Sequence, residues 1–299
     1  MISKHLLQSL ARLGVVYEEN VSLKSLSTFR IGGEAALALY PDSAEALTES
    51  VRLLRQDGLR FEVIGNGSNL LFCDGLFEGA LILTQKMNTC RAEGNTLIAD
   101  AGVSLATLAG TAAQAALTGL EFARGIPGTV GGALVMNAGA YGGAMAEVTV
   151  KSLALNVETG EISELTDHGY GYRKSVYLSN GSLICLGGAF ALSEGDKAKI
   201  METMRCFAAQ RKEKQPLEVP SAGSYFKRPE GHFAGKLIED CGLKGYTVGG
   251  AQISRKHAGF IINIGNATAS DVLRLEELAR GEVYRRFGVT LEREVRFIG

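Results

Sequence analysis

The 299-residue sequence contains no tryptophan, only four histidines, and 31 basic against 32 acidic side chains. Because these charges nearly cancel, we expect no binding to nucleic acid or to an anionic membrane through bulk charge, although a local basic site would fit. The histidines are scattered without metal-ligand spacing, and we expect no metal to be required.

Signs of disulfide bonds and of export are also missing. The five cysteines stand at positions 73, 90, 185, 206 and 241. This odd number, without a Cys-x-x-Cys pair, is typical of reduced thiols in a cytoplasmic protein. Residues 1–13 show an amphipathic pattern rather than the continuous apolar segment and cleavage site of a signal peptide. We therefore expect a cytoplasmic location.

Glycine, in contrast, is abundant, with 38 residues, and it is concentrated in residues 124–143. No charged side chain occurs from residue 126 to residue 146. The glycines in this stretch disfavour a membrane span, and Pro127 and Asn137 disfavour a single regular element. The segment is either a core crossing without a ligand or a backbone cradle for a cofactor with a flat ring and a phosphate tail.

A second glycine-rich turn follows a predicted strand and reads Gly-Asn-Gly-Ser-Asn over residues 65–69. A Rossmann fingerprint needs a third glycine where Leu70 stands, and the sequence contains no P-loop motif, so neither of these nucleotide-binding loops is predicted. The turn is either a plain hairpin turn or a phosphate-binding nest of backbone N–H groups.

Hydrophobic periodicity predicts strands and helices along the whole chain. Strands are predicted at residues 35–40, 61–64, 70–72, 80–83, 96–99, 148–157, 182–191, 259–264 and 289–298. Helices are predicted at residues 1–13, from a cap at 42–43 to before Gly58, at 103–117, from about 193 to 212 and from 270 to about 284. In the last strand, Glu292 and Glu294 would share one face and Arg293 would lie on the other.

Together, the two glycine-rich segments resemble the flavin domain of the vanillyl-alcohol-oxidase-like superfamily. A strand ending in Gly-x-Gly-Ser-Asn is followed, from residue 125, by Gly-Ile-Pro-Gly-Thr-Val-Gly-Gly and then Asn-Ala-Gly-Ala-Tyr-Gly. Within that superfamily the chain resembles the UDP-N-acetylenolpyruvoylglucosamine reductase family, from the Ser-Thr-Phe-Arg-Ile-Gly-Gly block at 27–33 to Glu-Val-Arg at 294–296. The resemblance implies an α+β fold with a two-lobed FAD-binding domain and a C-terminal α+β substrate domain.

The same resemblance implies domain boundaries. Residues 1–27 would form an N-terminal helix and lead-in. Residues 28–194 would form the FAD-binding domain, with lobes at about 28–85 and 86–194, and residues 195–299 the substrate-binding domain. The short stretch between Tyr177 and the next strand implies the compact form of the enzyme, without an extra substrate-covering loop.

Three catalytic residues are implied, each in a block shared with the family. Arg173, in Tyr-Arg-Lys-Ser-Val-Tyr, would contact the substrate carboxylate and the charge that develops beside it. Ser224, in a Gly-Ser turn, matches the proton-donating serine, and Glu294 matches the family's acid. From the residues alone, Arg173 would be a surface arginine, Ser224 a turn residue and Glu294 an exposed strand charge.

The resemblance also implies binding residues for FAD, held without a covalent bond, and for the substrate. The FAD-binding residues would be Gly65, Asn66, Gly67, Ser68, Asn69, Ile126, Pro127, Gly128, Thr129, Gly132, Gly139, Arg211 and Arg296. The substrate-binding residues would be Tyr141, Tyr172, Lys214 and Arg228. From the residues alone, Arg211 and Lys214 are equally well explained as solvated charges at a helix end. Some relatives have asparagine at the position of Arg228, which leaves its contact open.

The implied reaction is the NADPH-dependent reduction of the enolpyruvyl ether of UDP-N-acetylglucosamine to UDP-N-acetylmuramate, in peptidoglycan precursor synthesis. NADPH would reduce FAD, leave, and be replaced by the UDP-sugar in an overlapping cleft. A hydride from flavin N5 would add to the vinyl carbon, Arg173 and protonated Glu294 would stabilise the enolate-like charge, and Ser224 would supply the proton. Two other functions stay open: an FAD-dependent oxidase of the same superfamily, and a non-catalytic flavin or UDP-sugar binder.

Overall fold

The structure, a computed structural model, describes residues 2–299, which form two compact units. The first unit consists of the residues up to Glu19, Leu37–Asn66 and Gly79–Arg211. The second unit consists of Asn20–Ala36, Gly67–Glu78 and Lys212–Gly299. Both units therefore combine segments that are distant in the sequence. The predicted functional domains at 1–27, 28–194 and 195–299 stay a prediction.

Helices occur in both units. They are α1 (Lys4–Arg12), α2 (Ala44–Gln56), α3 (Leu105–Gln114), α4 (Val130–Met136), α5 (Val176–Ser179), α6 (Lys197–Lys214), α7 (Ala234–Asp240) and α8 (Ala269–Phe287). Across residues 2–299, no helix combines the length and the apolar character that crossing a bilayer requires.

The strands are mostly short. They are β1 (Val16–Ser22), β2 (Glu34–Tyr40), β3 (Phe61–Ile64), β4 (Leu70–Phe72), β5 (Leu76–Leu83), β6 (Cys90–Glu93), β7 (Thr96–Asp100), β8 (Leu117–Thr118), β9 (Gly139–Ala140), β10 (Gly143–Ala144), β11 (Thr149–Asn156), β12 (Ile162–Leu165), β13 (Leu183–Ala191), β14 (Ser193–Glu194), β15 (Ser221–Ser224), β16 (Thr247–Val248), β17 (Ala251–Ile253), β18 (Phe260–Asn263) and β19 (Arg296–Ile298).

These strands form three larger sheets and three pairs. One sheet has the order β1-β2-β5-β3, with β3 and β5 parallel. A five-stranded antiparallel sheet has the order β12-β11-β13-β7-β6, and a four-stranded antiparallel sheet has the order β15-β18-β17-β16. The pairs are β9 with β10, β8 with β14 and, in parallel, β4 with β19. Helices mixed with mainly antiparallel sheets confirm the α+β class.

Amphipathic helices supply much of the first unit's core. Leu6 and Leu10, one turn apart on α1, are buried together with Leu47 and Leu54, two turns apart on α2. Ser43 starts α2 as predicted, because its Oγ accepts a backbone N–H of the first turn at 3.1 Å. A second core in the same unit lies around α3, α4 and the five-stranded sheet.

The glycine-rich segment contains a helix of only seven residues, α4. Thr129 begins it as the N-cap, and Asn137 ends it in a left-handed conformation with φ 42°. Asparagine tolerates that conformation better than most residues. The prediction that no single regular element fills this segment is therefore confirmed.

In the second unit, α8 starts and ends slightly outside its predicted bounds. Thr268 is its N-cap and forms a capping box with Asp271, while Gly288, with φ 68°, ends it after Phe287. The Asp74 carboxylate also accepts two first-turn N–H groups of this helix, at 2.6 and 3.1 Å. The apolar side of α8 enters the core of this unit.

The predicted strand over 289–298 is wrong in extent, since only Arg296–Ile298 forms β19. The reason is a change of partner. Residues 292–294 bond to residues 225–227, through Lys227 N–H to Glu292 O at 2.8 Å and Glu294 N–H to Tyr225 O at 2.9 Å. β19 pairs instead with β4. Because the segment bonds first to residues 225–227 and then to β4, it does not form one continuous strand. The prediction that Glu292 and Glu294 share one face of such a strand therefore does not apply.

Replacing Thr268 with alanine should lower the free energy of unfolding by about 1 kcal/mol, because the capping bond to the Asp271 N–H is lost. Urea unfolding measures this change. Ser270→Ala, at an exposed serine in the first turn of the same helix, is the matched control and should leave the midpoint nearly unchanged. Equal midpoints for the two variants would contradict the capping role.

Candidate active site

The two glycine-rich segments predicted to bind a cofactor meet within the first unit. Gly65 follows β3, and a Cβ on it would collide with Oγ1 of Thr129. Asn66 Nδ2 donates to the carbonyl of Pro127 at 3.4 Å, and Gln85 Nε2 donates to the carbonyl of Gly65 at 2.8 Å. Residues 65–66 and 127–129 therefore form one surface, made largely of backbone.

Close backbone packing keeps this surface in place. Thr129 is buried, and its Oγ1 accepts the N–H of Gly132 at 3.4 Å. The Leu105 N–H donates to the carbonyl of Gly128 at 3.0 Å. A Cβ on Gly131 would lie only 2.9 Å from Cβ of Ala101, so the start of α4 sits directly against its neighbour.

The remainder of the predicted FAD-binding turn, residues 67–69, belongs to the second unit. Gly67 has φ 60°, and a Cβ on it would collide with the carbonyl of Leu26. Asn69 Nδ2 donates to the carbonyl of Glu294 at 3.2 Å, and the Arg296 N–H donates to the carbonyl of Asn69 at 3.0 Å. The structure thus brings Asn69, Glu294 and Arg296 together, while half-buried Ser68 lies between Gly67 and Asn69.

Ser224 and Glu294 lie on neighbouring segments of the second unit. Ser224 ends β15 opposite Phe260 of β18, and its side chain is exposed. The next residue, Tyr225, accepts the N–H of Glu294 at 2.9 Å, and Phe226 forms an antiparallel bridge with Arg293. Glu294 is half-buried. The backbone therefore places the residues that directly follow the predicted proton donor beside the segment that carries the predicted acid.

Arg173 lies in the first unit, at the tip of a tight turn. It adopts a left-handed conformation with φ 51°, between Gly171 and Lys174, which bond to each other across the turn. Its guanidinium lies 5.0 Å from the ring centre of Tyr172, and Nη2 donates to the carbonyl of Gly139 at 3.5 Å. The turn thus places Arg173 against the glycine-rich segment.

Asn137 and Ser175 attach the Arg173 turn to the glycine-rich segment. The buried Asn137 donates through Nδ2 to the carbonyl of Gly171 at 2.9 Å and accepts the Ala146 N–H on Oδ1 at 2.9 Å. Ser175 Oγ donates to the carbonyl of Val135 at 2.6 Å. From the sequence, Asn137 is predicted only to disfavour a single regular element. Its position after a short helix, in a glycine-rich stretch, indicates a left-handed cap but does not reveal its partners.

Two further predicted binding residues of the first unit lie at α6. Arg211 belongs to this helix, and Tyr141 contacts it. Arg211, near the end of α6, donates to the carbonyl of Gly125, and burial lowers the pKa of its guanidinium. Tyr141 has φ 54°, and its ring stacks on Phe207 of α6 with 4.4 Å between the centroids. These contacts place Arg211 beside the start of the glycine-rich segment. They also place the ring of Tyr141 against α6, the helix that carries Arg211.

The other predicted binding residues are more accessible. In the first unit, Ile126 is half-buried. In the second unit, Lys214 is exposed at the end of α6, and the guanidinium of Arg228 lies 4.1 Å from the ring centre of Phe233. The three predicted catalytic residues divide between the units, with Arg173 in the first and Ser224 and Glu294 in the second.

Two histidines, one in each unit, bond to neighbouring residues. His257 accepts the N–H of Gly259 on Nδ1 at 3.0 Å, and burial lowers the pKa of its ring. His168 is buried, with Nε2 2.9 Å from Oγ of Ser152, which in turn lies 2.7 Å from the hydroxyl of Tyr177. Burial is also the main cause of the lowered pKa of His168. Among residues 2–299, no three His, Cys, Asp or Glu side chains are grouped to hold a metal ion.

The family matches of this chain define its class, a flavoprotein with an FAD-binding domain. Residues 35–166 match the FAD binding domain family, and residues 215–298 match the family described as UDP-N-acetylenolpyruvoylglucosamine reductase, C-terminal domain.

Several relatives match almost the whole chain. UDP-N-acetylenolpyruvoylglucosamine reductase of Clostridium novyi (strain NT) is 45% identical over 284 residues, which is 94% of this chain and 92% of that protein. The same enzyme of Geobacillus thermodenitrificans (strain NG80-2) is 44% identical over 303 residues, covering 99% and 98%. The crystal structure of the Thermus caldophilus enzyme superposes with a TM-score of 0.81 at 34% identity, covering 95% of this chain and 100% of that one. The chain belongs to the UDP-N-acetylenolpyruvoylglucosamine reductase family and is an FAD oxidoreductase.

Replacing Asn137 with glycine should keep the left-handed backbone but remove both side-chain bonds, at a cost of about 1–3 kcal/mol in the free energy of unfolding. The Arg173 turn should then open more readily, so trypsin should cut after Arg173 or Lys174 faster than in the parent protein. Asn266→Gly is the matched control, because Asn266 is also left-handed, with φ 53°, but exposed. An unchanged cleavage rate at the turn would contradict the attachment by Asn137.

The stability of the first unit should fall in mild acid because of His168. Since burial lowers the pKa of this ring in the folded state, the unfolded chain takes up the proton at higher pH. The stabilising contribution is complete above the unfolded pKa of about 6.5 and decreases as the pH falls towards the folded pKa. His168→Gln should reduce the difference in urea midpoint between about pH 5.5 and 7.5, whereas the exposed His5→Gln should not. An identical pH dependence in both variants would refute this assignment.

Proposed function

We propose that this chain reduces UDP-N-acetyl-3-O-(1-carboxyvinyl)-glucosamine to UDP-N-acetylmuramate, with NADPH as the hydride donor, in the synthesis of peptidoglycan precursors. The observation that carries the proposal is the pairing of the Ser224 and Glu294 segments through the 2.9 Å bond from Glu294 N–H to Tyr225 O. Reduction of an enol ether beside a carboxylate requires a proton donor and a group that stabilises the developing negative charge. The two paired segments would supply both.

The glycine-rich surface of the first unit suits FAD as the cofactor. The surface of residues 65–66 and 127–129 presents backbone groups without a charged side chain, and a Cβ at Gly65 would fill space that Thr129 occupies. Such a backbone surface fits a flat ring and a phosphate chain. When bound, the flavin supplies the hydride that adds to the vinyl carbon. We assign its binding to the thirteen residues predicted above, including Gly132, Gly139 and the arginines 211 and 296.

Each catalytic residue has a defined task in this reaction. Arg173 binds the substrate carboxylate and stabilises the negative charge that hydride addition places beside it. Glu294, in protonated form, donates a hydrogen bond to the same charge. Ser224 transfers its hydroxyl proton to the carbon next to the carboxylate, which completes the reduction, and the serine oxygen takes up a proton from solvent in return. We assign the sugar and phosphate contacts to Tyr141, Tyr172, Lys214 and Arg228.

The cellular setting follows from this chemistry. We place the enzyme in the cytoplasm, where its five free cysteines stay reduced, and we assign residues 28–194 to FAD binding and 195–299 to substrate binding. Its product is a precursor of the cell wall. Loss of the activity would therefore disturb cell shape and division.

Stopped-flow spectroscopy tests the proposal. NADPH should bleach the flavin absorbance of the purified protein, and the enolpyruvyl ether should restore it faster than air does. Ser224→Ala should keep flavin reduction within about twofold but slow reoxidation by the ether by about 100-fold or more, the usual contribution of a general acid. Ser221→Ala, in the same strand, is the matched control and should resemble the parent protein.

Two other outcomes would contradict the proposal. A flavin that air reoxidises quickly and the enol ether does not would indicate an oxidase. A flavin that does not respond to NADPH or to the ether would indicate a binding protein without this activity. Undiminished reoxidation by the ether in Ser224→Ala would show that another group donates the proton.

A further inference from the structure

Helix α8 carries a carboxylate where its pattern calls for an apolar side chain. Val272, Leu275, Ala279 and Val283 form a buried stripe at helical spacing. Glu276 lies on the same stripe and is only 6% exposed. A buried carboxylate is costly unless charged or hydrogen-bonding groups surround it. The partners of Glu276 therefore indicate why it is there.

Two of the three partners of Glu276 come from the segments that carry the proposed catalytic residues Ser224 and Glu294. The Tyr225 hydroxyl donates to Oε2 of Glu276 at 2.8 Å, and Nη1 of Arg293 lies 3.5 Å from the same oxygen. Nη1 of Arg280, one turn along α8, lies 3.6 Å from Oε1. Tyr225 is fully buried and Arg293 partly so, whereas Arg280 is about half exposed. Tyr225 and Arg293, the two partners from outside α8, are thus less exposed than Arg280.

Tyr225 directly follows Ser224, and Arg293 directly precedes Glu294. Their backbones are joined by the bond from Glu294 N–H to Tyr225 O, and the Tyr225 N–H donates to the carbonyl of Gly259 in turn. Glu276 thus binds one side chain from each of the two segments. A rigid helix holds both segments at a third point, in addition to the backbone bonds between them.

We propose that Glu276 is a positioning residue that sets the placement of Ser224 relative to Glu294, by holding Tyr225 and Arg293 on one buried carboxylate. This inference rests on the proposed function for the identity of the reaction. Glu276 touches neither substrate nor cofactor in this role. It acts through its two neighbours, and its effect is confined to the step that uses Ser224 and Glu294.

A polar contact suits this role better than an apolar one. Apolar side chains of similar volume would fill the same space, but they would tolerate small sliding movements of one segment past the other. A hydrogen bond and an ion pair are directional, so they favour one separation. Burial also raises the pKa of the Tyr225 hydroxyl, which keeps it a hydrogen-bond donor to the carboxylate at any physiological pH. Misplacement of a reacting group by a fraction of an ångström is enough to slow a proton transfer.

The test uses variants that weaken the contact but keep the volume. Tyr225→Phe removes the hydrogen bond to Glu276, Glu276→Gln removes the negative charge that pairs with Arg293, and the double variant combines the two changes. Glu282→Gln, on the same helix with its partner Arg285 at the surface, is the matched control. In stopped-flow experiments, both single variants should slow reoxidation of the flavin by the enol ether about tenfold and leave its reduction by NADPH unchanged. The solvent isotope effect on reoxidation should rise, and the double variant should be no slower than the slower single variant, because every variant weakens the same cluster of contacts around Glu276.

A measurement without turnover completes the test. Hydrogen exchange of the Glu294 amide, which bonds to Tyr225 O, should become about tenfold faster in Tyr225→Phe and Glu276→Gln and stay unchanged in Glu282→Gln. Exchange and reoxidation rates equal to those of the parent protein would overturn the proposal. So would a parallel loss of both half-reactions, since that pattern indicates a purely structural role.

Failure of the proposed function would look different. If the parent protein is not reoxidised by the enol ether, or if Ser224→Ala turns over normally, the reaction assigned above is wrong. The exchange rate of the Glu294 amide still reports whether Glu276 holds the two segments together. If the parent and Ser224→Ala behave as proposed while the Tyr225 and Glu276 variants match the control, only the positioning role is wrong.

Discussion

The arrangement of the second unit depends on a change of hydrogen-bonding partner in the last residues of the chain. Up to Glu294 the segment bonds to residues 225–227, and from Arg296 onward it pairs with β4. Asn69, just before β4, bonds to this segment on both sides of Val295, to the carbonyl of Glu294 and to the N–H of Arg296. Glu294 is therefore fixed at a junction between the segment after Ser224 and the glycine-rich turn at 67–69. One short stretch of chain thus links the proposed acid, the segment that follows the proposed proton donor and part of the proposed cofactor site.

Buried polar side chains that bond to two different segments recur around the proposed site. Asn137 joins the carbonyl of Gly171 to the N–H of Ala146, and Glu276 joins Tyr225 to Arg293. Each of these groups has partners for its buried atoms, so the cost of removing it from water is offset by bonds of defined direction. Loops that carry reacting groups gain more from such bonds than from apolar packing, since direction as well as proximity decides whether a proton moves.

Features that depend on local sequence were predictable. The Ser43 cap of α2, the strand before Gly65 and the break at Asn137 each follow from residues within a few positions of one another. The contact between the two glycine-rich segments was predictable only through the family resemblance, which also supplied the roles of the catalytic residues. The change of partner at Val295 was not predictable, because strand pairing depends on residues far away in the sequence. The helical spacing of the sequence places the charged Glu276 on the apolar stripe of α8, but it does not predict which side chains contact Glu276.

In the proposed reaction, recognition of the cofactor and selection of the substrate are assigned to different kinds of chemical group. The surface around Gly65 and Thr129 offers backbone groups, which would bind a ring and a phosphate chain whatever compound is to be reduced. Discrimination for an enol ether beside a carboxylate must therefore come from side chains that respond to the developing charge. In the proposed reaction these groups are Arg173, Ser224 and Glu294, and each is placed by contacts of its neighbouring residues rather than by its own side chain alone. Different reductive chemistry on this fold would thus require changes in those side chains and in the residues that hold them, with the glycine-rich surface unchanged.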